Sequence, residues 1–351
     1  MDLEYFNGFG GFAENGTEYE ILLEGGNKPP APWINVIANK RLGFHVSETG
    51  AGFTWAGNSR ENKLTTWSND PVSDIASEAI YIRDEISGTV ITPTSLGRED
   101  QGTYRIRHGF GYSTFYHEAE GIEQELRVFT PLEEPLKLWE LTLSNLTDRE
   151  RYLSLTYYVE WVLGVERDQT SPYIISYYDN EHEYLYAHNI YNNDYQKHYA
   201  FIFSSEMIIG YTGDRQEFLG LRGSILEPQG LEQKLCCSTG NGYDPCGAIQ
   251  ISIALRSNES RTILFGLGQS DDFEEIEILR KKYSDAASGN AELEKVKAYW
   301  SDLLGGIQVG TRDRALDILV NGWLLYQTVS CRLNARAAFY QCGGAYGFRD
   351  Q

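Results

Sequence analysis

Along most of the chain apolar and polar positions alternate with a period of two. The stretch "LKLWELTLSNLTDRERYLSLTYYVEWVLG" is the clearest case. Leu136, Leu138, Glu140, Thr142 and Ser144 fall on one side of an extended chain, and Lys137, Trp139, Leu141 and Leu143 on the other. Asn145 to Arg151 supplies a turn, and Leu153, Leu155, Tyr157 and Val159 alternate on the return, which predicts a hairpin. "AIQISIALRSNESRTILFGLG" repeats the design and predicts a second one. Units of this kind over residues 1–269 predict a mainly β fold, a large antiparallel super-sandwich.

The period changes at Ser270-Asp271-Asp272. "DDFEEIEILRKKYSD" begins acidic and ends basic, as a helix dipole prefers. After a Ser-Gly break, "NAELEKVKAYWSDLL" places Leu293, Val296, Trp300 and Leu303 at helical spacing. Both read as linker helices within a 270–306 segment. Thr311 is the expected N-cap of a third helix running to about Asn334, inside a final segment 307–351. Its apolar positions, Leu316, Leu319, Val320, Trp323, Leu324 and Val329, cover much of its circumference, so it expects neighbours on several sides. The seventeen residues that follow are too few to supply them.

Composition narrows the function. With 24 Tyr, 15 Phe and 7 Trp against 2 Met, the chain favours half-buried rings on strands. A formal net charge of −20 excludes a basic footprint for nucleic acid or an anionic membrane and is compatible with a neutral ligand such as a sugar. Five cysteines, Cys236, Cys237, Cys246, Cys331 and Cys342, read as reduced thiols rather than a disulfide framework. No C-x2-C spacing or nearby histidine completes a metal set, so no metal is expected. "MDLEYFNGFGGF" has no basic segment followed by an apolar run, and no stretch reaches eighteen apolar residues; the expectation is a cytoplasmic protein.

Five blocks carry a resemblance: "FNGFGGFAENGTEYEI" (Phe6–Ile21), "NSRENKLTTWSNDPVSD" (Asn58–Asp74), "HGFGYSTF" (His108–Phe115), "YVEWVLGVER" (Tyr158–Arg167) and "ARAAFYQCGGAYGFRDQ" (Ala335–Gln351). Together, in this order, they resemble the inverting glycoside phosphorylases of glycoside hydrolase family 94. The wording lies nearest the branch of β-1,2-oligoglucan phosphorylases and cyclic β-1,2-glucan synthases. The resemblance implies a galactose mutarotase-like super-sandwich, linker helices and an (α/α)6 barrel, of which this chain would hold the first helix. It therefore implies a fragment, with a possible homodimer in the full-length protein.

The implied reaction is phosphorolysis of a β-linked glucan with inversion, releasing α-glucose 1-phosphate, or chain-length adjustment in a cyclic glucan synthase. Phosphate is already an anionic nucleophile, so one general acid suffices and no second carboxylate need activate water. No cofactor is implied beyond inorganic phosphate as co-substrate. By position in the blocks, Arg336 would hold phosphate, and Asp350 would bind sugar hydroxyls with Arg349 beside it. The proton-donating Asp of the family would lie beyond Gln351, which predicts no turnover by this chain alone. The alternative is a non-catalytic carbohydrate-binding or structural β-sandwich module. His108 has two readings, sugar ligand or structural histidine, and turn chemistry alone accounts for Trp67 and Asp70. Asp214 and Glu217 read as surface acids.

Overall fold

In the computed structural model, residues 3–70, 72–97 and 102–337 are described. Two antiparallel sheets, one of ten strands and one of nine, face each other. Between them lies a core that includes Trp139, Leu141, Leu155, Tyr157, Trp161 and Phe265, as sandwich packing requires. The mainly β super-sandwich reading holds.

The two expected hairpins are not hairpins. Leu136–Asn145 lies in the ten-stranded sheet and Arg151–Gly164 in the nine-stranded sheet. Pro245–Leu255 and Ser260–Ser270 are divided in the same way. The strands pair instead across the two units, Leu136–Asn145 with Ser260–Ser270 and Arg151–Gly164 with Pro245–Leu255. Each connection is an arch from one sheet to the other, and Asn145 ties the two arches together. Its amide nitrogen donates to the carbonyls of Arg149, Leu255 and Arg256, while its backbone N–H donates to Glu259 O at 2.9 Å. Alternation fixes which side chains share a face, but it is identical for a hairpin and an arch.

One ion pair bridges the sheets inside the core. Lys137 Nζ lies 2.8 Å from Glu78 Oε2, and Thr54 and Thr65 hydroxyls donate to Glu78 Oε1 at 2.6 and 2.8 Å. The ammonium also sits over the rings of Phe44 and Trp139 at 4.3 and 4.7 Å. Burial pulls the Lys137 ammonium below its ordinary range, and the Glu78 carboxylate opposes that shift.

Two linker helices, Phe273–Lys282 and Ala286–Gly305, cover part of the outer face of the ten-stranded sheet. Each begins on an aspartate whose side chain accepts a first-turn N–H, Asp272 and Asp285. The expected Ser-Gly break lies inside the second helix. Gly289 is there because a Cβ would stand 2.6 Å from Glu140 Oε2 and 2.7 Å from Leu264, so close approach to the sheet outweighs its poor helix propensity.

The third helical run spans residues 314–335. Its cap is Asp313, which accepts from Ala315 N and Leu316 N, rather than Thr311. Thr311 closes the preceding turn by donating to Asp317 Oδ1 at 2.8 Å. Ile318, Trp323, Tyr326, Ser330 and Ala335 are buried against the sandwich, whereas Leu316, Leu319, Leu324, Leu325 and Leu333 remain 40–50% exposed. The apolar circumference is thus half used among the described residues.

Replacing Lys137 by Met leaves Glu78 buried without its cation and is expected to lower the unfolding free energy by about 3–5 kcal/mol. Adding Glu78→Gln recovers most of that loss. Urea titrations of the two variants check both statements, and equal stability of Lys137→Met and wild type would refute them.

Candidate functional site

The site is assembled by the way the 314–335 run lies on the sandwich. The contacts follow one line from end to end. Arg314 grips the Glu4 carboxylate with two bonds of 3.0 Å, and Trp323 Nε1 donates to Gly16 O at 2.7 Å. The Tyr326 hydroxyl donates to Asn35 Oδ1 at 2.8 Å and accepts from Gly111 N at 3.1 Å. Ser330 donates to Val36 O, and Asn334 to Ala38 O at 3.2 Å.

Glycines permit this closeness. A Cβ on Gly16 would meet Ile318 at 2.8 Å, one on Gly322 would meet Phe110 at 2.8 Å, and one on Gly111 would stand 2.3 Å from Trp300 Nε1 of the second linker helix. Gly16 and Gly111 also have φ of +89° and +84°, where a side chain is strained. The docked residues Ile318 and Trp323, and again Ser330 and Ala335, are five apart. In a pure α-helix five residues turn about 140° away from a face. The run corrects this with wider, i→i+5 bonded stretches at Leu319–Trp323 and Thr328–Ala335, of the sort that recur at functional sites.

At the end of this line stands Arg336. Its backbone is left-handed, φ 50° and ψ 36°, and its N–H caps Cys331 O. The guanidinium donates to Gly57 O at 3.2 Å, and Ser59 Oγ donates to the Arg336 carbonyl at 3.4 Å. The Asn58–Asn62 turn beneath it is closed by side-chain hydrogen bonds. Asn58 Oδ1 accepts from Arg60 N and Glu61 N, and Asn62 Nδ2 donates to Ala56 O and Gln269 Oε1. Tyr195 approaches from a third direction, its hydroxyl 3.6 Å from where a Gly57 Cβ would lie. Burial raises the Tyr195 phenol, Glu61 adds to the rise and Arg336 opposes it. A fixed cation among polar side chains is suited to holding an anion in one orientation.

Trp67 packs on the same helix end, in the cluster of Phe53, Trp55, Ala335 and Ala337. It stacks on Phe53 at 5.0 Å and 16°. Asp70 makes the expected turn, accepting from Val72 N and from the Ser73 hydroxyl, which chiefly holds its carboxyl below the usual range. Further along the loop, Asp74 accepts from the Ser47 and Thr49 hydroxyls, and burial raises it. Glu48, which accepts from Trp33 N, is pushed up to about 7, first by burial and then by the Asp74 charge.

His108 is structural. Its Nε2 faces the Trp33 carbonyl at 3.1 Å and must carry the proton, so Nδ1 accepts from the Ser113 hydroxyl at 2.9 Å. Burial lowers its pKa to about 4, which keeps the ring neutral. Glu217 is no bare surface acid either: it accepts from Thr212, Ser238 and Cys236 N, and so fixes the loop before Ser238. Asp214 caps the short Arg215–Leu219 helix. Of the sequence-derived site residues, Arg336 is placed; Arg349 and Asp350 lie outside the described residues. Sequence reasoning missed Asn35 and Tyr326, the hydrogen-bonded centre of the docking line. The signal available was the glycines of the Phe6–Ile21 and His108–Phe115 blocks, which mark where another element must come close.

The supersandwich domain model of glycosyl hydrolase 94 matches residues 17–286, and the catalytic domain model of the same superfamily matches 299–351. The chain belongs to glycoside hydrolase family 94. Among curated relatives of this family-94 chain, the cyclic β-(1,2)-glucan synthase NdvB of Rhizobium meliloti (strain 1021) is 43% identical over 100% of the chain and 12% of that protein. The N,N'-diacetylchitobiose phosphorylase of Vibrio proteolyticus is 27% identical over 97% of the chain and 43% of its own length. Solabiose phosphorylase of Paenibacillus borealis is 26% identical over 98% and 44%. The chain therefore spans less than half of each of these relatives.

Two outcomes follow. Gly111→Ala forces Trp300 off the sandwich and strains the turn; it is expected to cost about 1–3 kcal/mol. Limited proteolysis should then open residues 286–337 before the strands, and unchanged protection there would refute the docking role. Second, the raised Glu48 contributes stability that is complete below the ordinary carboxyl pKa of 4.5 and is lost as pH rises through about 7. The melting temperature of Glu48→Gln relative to wild type should therefore increase between pH 5 and pH 8. A flat difference would show that Glu48 is not perturbed.

Proposed function

We propose that this chain is the sandwich, linker and leading barrel helix of an enzyme that cleaves or rearranges β-linked glucans by inverting phosphorolysis, with β-1,2-glucan as its substrate. The observation that carries the reading is the placement of Arg336, pinned by the docked helix over the Asn58–Asn62 turn. The family assignment supports it, and the 43% identity to a cyclic β-(1,2)-glucan synthase supports the linkage.

In this reading Arg336 holds inorganic phosphate in line with the anomeric carbon. A phosphate oxygen forms the new bond to C1 as the glycosidic C1–O bond breaks on the opposite face. The departing oxygen takes a proton from a carboxylic acid supplied by sequence other than these 351 residues, giving α-glucose 1-phosphate and a shortened glucan. Asp350, with Arg349 beside it, binds hydroxyls of the reacting sugar. Fixed charge and orientation do the work, and the reaction calls for no metal or organic cofactor.

In the longer protein that includes this chain, Arg336→Ala is expected to reduce kcat/KM for phosphate by about a hundredfold or more, with Arg336→Lys intermediate. Release of glucose 1-phosphate from β-1,2-oligoglucan is the readout. Wild-type phosphate kinetics in Arg336→Ala would overturn the assignment.

A further inference from the structure

At the far edge of the ten-stranded sheet, the strands Ile174–Asp179, Tyr184–Asn189 and Tyr199–Ser204 bury Ile174, Leu185, Ala187 and Ala200 toward the core. Alternation then calls for polar residues on the opposite, water-facing side. That side instead carries a ladder of rings. Tyr177 stacks on Tyr186 across the strand pair at 5.1 Å and 17°, and His188 on Tyr199 at 5.1 Å and 27°. Phe273, the first residue of the linker helix, joins the two at 5.4 Å from Tyr186 and 4.4 Å from Tyr199. Beyond them Tyr191 stacks on Tyr173 at 4.7 Å and is 72% exposed.

The phenol oxygens of Tyr173, Tyr177, Tyr186, Tyr191 and Tyr199 make no hydrogen bond to any described residue. Where the sandwich meets the helices, tyrosine hydroxyls are committed, Tyr326 to Asn35, Tyr112 to Glu18 and Tyr283 to Glu134, although inside the core the Tyr157 hydroxyl has no partner among the described residues. The face is therefore an apolar ring surface fringed with unused hydroxyls. An apolar protein partner would bury those hydroxyls unpaired, at a cost for each. Nearby Asp179, Glu183 and Glu277 outnumber Arg280, which is itself paired with Glu183 at 3.2 Å, so the face has no surplus of positive charge with which to hold nucleic acid or anionic lipid. A pyranose chain, with C–H faces and a rim of hydroxyls, matches both features at once. The strands Tyr184–Asn189 and Tyr199–Ser204 are joined by residues 190–198, which carry Tyr195 to the Gly57–Arg336 contact.

We propose that this aromatic face is a second glucan-holding surface, taking the neutral β-glucan chain at a distance from the reacting bond and leading toward the Arg336 site. The choice of glucan rests on the function proposed above; the existence of a sugar-holding face does not.

Affinity gel electrophoresis of the 351-residue chain through gels containing β-1,2-glucan, with cellulose-derived and β-1,3-glucan gels beside it, tests this. Wild type should be retarded, and Tyr177→Ala/Tyr191→Ala should bind about tenfold more weakly with an unchanged melting temperature. Arg336→Ala should be retarded like wild type. The inference is overturned if wild type migrates freely in every glucan gel. It is equally overturned if Arg336→Ala alone abolishes retardation, or if sedimentation shows that Tyr191 holds a dimer instead. The two readings fail separately. Phosphorolysis by the longer protein without retardation sinks only this inference, and retardation without phosphorolysis sinks only the proposed reaction.

Discussion

Close approach between the 314–335 helical run and the sandwich is the constraint on which the rest of the structure depends. Gly16, Gly111 and Gly322 remove the atoms that would hold the elements apart, and Trp323, Tyr326 and Ser330 then reach main-chain carbonyls and amides of the sheet ends. Side chains that bond to backbone leave little freedom of register, because the partner cannot change rotamer. The widened turns belong to the same constraint, since without them the docked residues would rotate off the sheet before Arg336 is reached. A left-handed arginine is an unfavourable conformation taken alone, costing roughly 1–2 kcal/mol, and it persists because both of its neighbours in space are fixed.

Much of the fold was legible from periodicity. Leu136, Leu138 and their partners occupy the faces that alternation assigns, and the change of period near residue 270 is where the last sandwich strand ends. Strand pairing was not legible, because Asn145 and its loop serve an arch as well as a hairpin and nothing in the local pattern separates the two. Helix starts were partly legible. Asp313 and Thr311 are both good caps, and the choice was made by a contact four residues beyond Asp313, the Thr311–Asp317 bond. Gly289 misled as a breaker because its reason is tertiary. At the site, Arg336 could be read only from the resemblance of its block, since a lone arginine after a helix carries no local signal. The Asp70 turn needed nothing beyond its own sequence, whereas Trp67 owes its place to tertiary packing on Phe53 and Ala335 that turn chemistry did not announce.

The acidic surplus does not leave the chain's cations idle. Arg107 holds Glu18 and Glu20, Arg151 holds Asp84, and Arg167 and Arg215 share Glu160 and Asp244. The partly buried pairs suffer little screening and orient the strand ends, while carboxylates such as Glu14, Glu61 and Glu294 face water. Such a surface repels polyanions as a whole. It can still present a local guanidinium at Arg336, which donates to the Gly57 carbonyl.

The arches have a mechanical meaning. Two sheets joined only by hairpins within each sheet could peel apart and leave either one standing. Here the chain crosses between layers at both arches, and one asparagine fastens the crossings to each other. Neither layer can lose its central strands without pulling strands from its opposite, so the sandwich is built to come undone in one step rather than leaf by leaf.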